Sequence, residues 1–114
     1  MEDIIAMAER LGKAISASPQ AAALRQAQAA LRADEAASKL LADYQAHREK
    51  VAALEAEQKP VEVEDKHRTE DLHRKLIGTE TFKTFTAAQV EYVDVMRRVN
   101  DAIRAQMGDP QSPQ

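Results

Sequence analysis

Apolar residues return every three or four positions along most of this chain, which is the spacing of one face of an α-helix. Ile4, Ala8, Leu11 and Ile15 form the first such stripe, predicting a helix from about residue 2 to 17. Ser18 and Pro19 follow, a hydroxyl suited to an N-cap and a residue preset for a first helical turn, so a second helix restarts there. Its apolar edge is Leu24, Ala27 and Leu31. Asp34, with Glu35 behind it in the first turn, caps a long third helix extending to about residue 58.

The third helix carries a narrow seam of Ala37, Leu40, Tyr44, His47, Val51, Leu54 and Gln58, alternating by threes and fours as in a coiled coil. His47 is the one histidine in that stripe, and is read as a packed, hydrogen-bonded core residue. Lys59 and Pro60 end the helix, and a fourth follows over about 62 to 77 with Leu72, Leu76 and Ile77 as its large apolar residues. The first half of that helix is expected to be frayed or exposed. Gly78 suits the position just past a helix end, and either Thr79 or Thr81 can cap the fifth. That last helix reaches about residue 107 and is the most apolar, with Phe82, Phe85, Tyr92, Val93, Met96, Val99, Ile103 and Met107 on one face.

The expected fold is therefore all-α: an antiparallel bundle of about five helices, two of them long, at about 34–58 and 79–107. Residues 1–108 are expected to form a single helical domain and 109–114 a disordered tail. At about 1.5 Å per residue the long helices span roughly 36 and 42 Å. A compact chain of this length has a radius of gyration of only about 13 Å, so the apolar seams predict a dimer. Leu40, Tyr44, His47, Val51, Leu54, Phe82, Phe85, Tyr92, Met96, Val99 and Ile103 are the candidate packing and dimer-interface residues.

Composition narrows the chemistry. The chain is 44% apolar, but 22 of those residues are alanine, with two Phe and two Tyr, which suits thin helices that approach closely. Absence of cysteine excludes disulfides, thiolate catalysis and Cys-ligated metal or iron–sulfur centres. The opening MEDIIAMAER carries acids where a secretion signal carries basic residues, and no apolar run is long enough to span a membrane, so a cytoplasmic location is expected. With 16 basic and 19 acidic residues, net charge does not favour nucleic acid.

Glu64-x-x-His67 and Glu70-x-x-His73 have the spacing of carboxylate-bridged metal helices, yet such centres draw on several helices, whereas these four residues fan around half of one. A solvated charged face and no bound metal are expected. Serines at 16, 18, 38 and 112 lie at surface, cap or tail positions, and glycines 12, 78 and 108 stand singly, so neither a nucleophile nor a phosphate loop is built and no enzyme is expected. Arg97, Arg98 and Arg104 are the candidate contacts for an RNA-associated factor, the alternative reading. A holdase-like chaperone with an exposed apolar groove is a third.

Three stretches, IIAMAERLGKAISASP, ALRADEAASKLLADYQ and GTETFKTFTAAQVEYVDVMRRVNDAI, together resemble the YlbF/YmcA family of small all-helical bacterial regulators, sometimes grouped with YheA. The resemblance lies in helix lengths, breaks and apolar positions over nearly the whole chain. It implies a non-catalytic adaptor without a cofactor of its own, forming a homodimer or a mixed oligomer with a paralogue. It further implies a complex influencing ribonuclease Y, messenger RNA processing, competence, sporulation and biofilm formation. The iron–sulfur clusters associated with that complex need cysteine ligands, so any cluster would be held by partners.

Overall fold

The computed structural model describes residues 2–108, so the expected tail at 109–114 lies outside the described residues. The elements are α1 (Glu2–Ser16), α2 (Pro19–Ala33), α3 (Glu35–Ala56), α4 (Val63–Ile77) and α5 (Glu80–Met107), with no strand among the described residues. The protein is all-α, as the periodicity predicts.

Local chemistry sets the breaks between helices. Ser18 Oγ accepts from the Ala21 N–H at 3.1 Å and donates to the Ile15 carbonyl at 2.6 Å, closing α1 and opening α2 with one hydroxyl. Asp34 does the equivalent for α3, taking the Ala37 N–H on Oδ1 at 3.1 Å. The Ser38 hydroxyl reaches back to the Leu31 carbonyl at 2.7 Å, satisfying an acceptor at the end of α2.

Two helix ends differ from expectation. α3 stops at Ala56, and Gln58 adopts φ 59° with its N–H on the Glu55 carbonyl, while the Lys59 N–H bonds the Leu54 carbonyl at 2.8 Å. This is a Schellman closure, in which the residue past the cap must be left-handed. Gln58 therefore leaves the seam and occupies a position that favours glycine. Gly78 is the C-cap of α4 with an ordinary φ of −81°, so no left-handed residue is required there. At the start of α5, Thr79 takes the cap position through its carbonyl, which accepts from Lys83 N–H, while its hydroxyl donates to the Leu76 carbonyl at 2.7 Å. The Thr81 hydroxyl is spent elsewhere, on Asp34 Oδ2 at 2.9 Å.

Contacts divide the chain into two compact units. The second, Ala27–Phe85, contains most of the core: Ala27, Leu31, Ala37, Leu72 and Leu76 are buried, with Leu76 fully enclosed. Here α3 packs on α4, and Lys50 meets Asp65 at 2.9 Å while Tyr44 meets His73 with ring centroids 5.3 Å apart. Two of the five buried residues of this unit are alanines, Ala27 and Ala37, so much of its core is made by side chains of little volume. α4 is helical from Val63 despite the exposure of that residue, and Ile77, grouped with Leu72 and Leu76 by sequence, is exposed instead.

The first unit holds α1, α2 up to Gln26, and α5 from Thr86. Arg25 donates to the Ser16 carbonyl at 3.0 Å across the α1–α2 break. Ala21 is the only buried residue among the described residues of this unit.

Candidate interaction surface

The seam of α3 is half-buried throughout, at Leu40, Tyr44, His47, Val51 and Leu54, and lies in the unit where α4 covers α3. Arg48 sits over the Tyr44 ring at 5.7 Å from its centroid, extending the Tyr44–His73 contact with a cation on an aromatic face. His47, read from the sequence as a packed, hydrogen-bonded core residue, is half-buried, and its Nδ1 is enclosed without a partner. A buried polar atom left unpaired is costly, and nothing in the sequence spacing signals it.

α5 divides along its length. Phe82 and Phe85 are half-buried with ring centroids 6.3 Å apart, and Tyr92, Met96 and Val99 are also half-buried. Further along, Val93, Ile103 and Met107 are exposed, at 57%, 43% and 73%. The stripe read as one interface is thus packed at its start and bare at its end. Ten large apolar residues are exposed in the described chain, and eight of them belong to the first unit: Ile4, Ile5, Met7 and Leu11 on α1, with Val90, Val93, Ile103 and Met107 on α5. Isolated exposed apolar residues are ordinary, whereas a stripe of them on a helix marks a surface meant to be covered.

The charged motifs are distributed differently. His67 and His73 are both exposed, His73 being turned to Tyr44, and among the described residues no group of three or more His, Asp or Glu side chains converges as a metal site. Between the two histidines Asp71 gathers Lys75 at 3.0 Å, Arg74 at 3.8 Å and Arg68 at 4.0 Å. The Lys75 hydrogen bond holds its carboxyl below the usual aspartate range. On α5, Asp94 lies between Arg97 and Arg98 and pairs with both, and its hydrogen bond raises the Arg97 guanidinium further above its ordinary value. The three arginines therefore do not form an acid-free stripe. With no cysteine, the residues present do not fit an iron–sulfur cluster. No described helix is long and apolar enough to cross a membrane.

A protein-family model described as "Control of competence regulator ComK, YlbF/YmcA" matches residues 4–107. The chain belongs to the YlbF/YmcA family. That match runs from the first apolar residue of α1 to the last residue of α5, so all five helices belong to the family pattern. YlbF/YmcA membership gives the protein a regulatory role, and regulation of this kind is exercised through other proteins. No curated protein matches the chain.

Proposed function

We propose that this YlbF/YmcA protein is a non-catalytic cytoplasmic adaptor that self-associates, as a homodimer or with a paralogue, and presents a helical surface to other regulatory proteins. The observation that carries this reading is the uncovered apolar surface of the first unit, whose described residues bury only an alanine. Apolar surface contributes about 25 cal/mol per Å² when removed from water, so a unit that leaves its large side chains bare gains stability by associating. Family membership supports a further step: the complex it joins influences ribonuclease Y, messenger RNA processing and, through them, competence, sporulation and biofilm formation. Placement of Asp94 between Arg97 and Arg98 weighs against direct RNA contact, because paired arginines release fewer counterions on binding phosphate.

The test is genetic and biochemical together. Deletion of the gene should change the 5′ ends of transcripts cut by ribonuclease Y, and restoring the wild-type chain should return them. Purified protein should meanwhile fail to shift labelled RNA at physiological salt. Unchanged transcript ends would remove the ribonuclease Y step, and a tight salt-sensitive RNA complex would favour the nucleic-acid alternative.

A further inference from the structure

The two units differ in what holds each of them together. In the second, Leu31, Leu72 and Leu76 are at most 5% exposed, and polar bonds join its elements, Thr81 to Asp34 and Lys50 to Asp65. In the first, Ala21 is the one buried residue among those described, and each large apolar side chain described there is at least partly open to water.

The difference is greatest at α1. It has 15 residues, close to the length below which an isolated helix is marginal in water. None of its described side chains is buried: Ile4, Met7 and Leu11 are exposed, and Ala6 and Ile15 are half-buried. Among the described residues no ion pair involves positions 3–16. The bonds at its end are polar and local, with the Ser18 hydroxyl on the Ile15 carbonyl and the exposed Arg25 guanidinium on the Ser16 carbonyl. A segment with few buried apolar contacts and hydrogen bonds open to water opens at a lower free energy than the whole molecule.

We infer that α1 opens and closes by itself, while the second unit keeps its fold. The consequence is regulatory. A partner that covers the first unit binds the closed form and shifts the population towards it, so α1 becomes ordered in step with association. That consequence rests on the self-association reading, whereas the separate opening of α1 does not.

Hydrogen exchange of the full chain at high dilution, followed peptide by peptide, tests the separate opening. Amides of α1 should exchange at least about a hundredfold faster, relative to their intrinsic rates, than those of α3 and α4. Leu76→Ala should speed exchange in α3 and α4 at least about tenfold and leave α1 unchanged, because α1 opens with the Leu76 site still intact. Low concentrations of denaturant should raise exchange in α3 and α4 steeply and in α1 little, since opening one helix exposes little surface. Should Leu76→Ala unfold outright, the denaturant dependence of the wild-type chain decides. Equal protection across α1, α3 and α4, or equal responses to Leu76→Ala or to denaturant in all three, overturns the separate opening. Raising the concentration, with light scattering on the same samples, tests the regulatory consequence. Protection gained in α1 as the mass doubles supports it, and α1 exchange that stays fast in the dimer overturns it. A chain that stays monomeric at tens of micromolar overturns self-association and leaves the separate opening standing.

Discussion

Thr81 donates its hydroxyl to Asp34 Oδ2 at 2.9 Å, joining the first turn of α5 to the cap of α3 across 47 positions of the sequence. The same carboxylate accepts the Ala37 N–H on its other oxygen, so one side chain both caps a helix and ties down another. These two hydrogen bonds, the backbone one first, hold Asp34 below its ordinary value of 3.8. A carboxyl whose folded pKa is lowered contributes stability fully above its unfolded pKa and loses it as pH falls through the folded one. Stability should therefore drop below about pH 4. Thermal melts between about pH 2.5 and 6 should show Asp34→Asn flattening part of that acid limb and Thr81→Val lowering the midpoint at neutral pH. An acid limb unchanged in Asp34→Asn would mean that other carboxylates, Asp71 among them, account for it.

Gln58 holds a left-handed conformation that costs a side-chain-bearing residue about 1 to 2 kcal/mol, while its backbone closes α3. Gln58→Gly should relieve that cost and stabilise the fold by up to about 1 kcal/mol, the rest being offset by the entropy of a more flexible unfolded chain. Denaturant titration reads the difference. A loss of stability would show that the Gln58 side chain contributes more than its backbone costs.

Leu76 is fully enclosed in the second unit, where Leu31 and Leu72 are the other large buried side chains among the described residues. Leu76→Ala should cost about 2 to 5 kcal/mol, and Ile77→Ala, at the exposed neighbouring position, well under half as much. Equal losses at the two positions would mean that Ile77 is covered in solution.

Starts of helices were legible in this sequence because Ser18–Pro19 and Asp34–Glu35 act on backbone groups within one turn of themselves. The Thr81–Asp34 bond was not, since it joins residues that only the folded second unit brings together. Gln58 was hidden for another reason: its spacing continues the apolar rhythm of α3, and a glutamine carries no signal of a left-handed turn. Periodicity found the apolar stripes of α1 and α5 without separating the packed start of α5 from its bare end, because burial depends on what lies opposite.

His47 offers a sharper check on the α3 seam. Its Nδ1 is enclosed and unpaired, so replacing the ring with a side chain of similar size and no polar atoms removes that cost. His47→Leu should be neutral or stabilising by up to about 1 kcal/mol in denaturant titration. Marked destabilisation would reveal that the imidazole makes a bond in solution, through water or a partner chain.

Self-association is the centre of this account, and mass in solution tests it most directly. Light scattering of the full chain after gel filtration, at tens of micromolar, should return twice the 12.6 kDa chain mass or a higher multiple. A single species of 12.6 kDa across that range would contradict it, and would mean that the bare faces of α1 and α5 belong to a different protein.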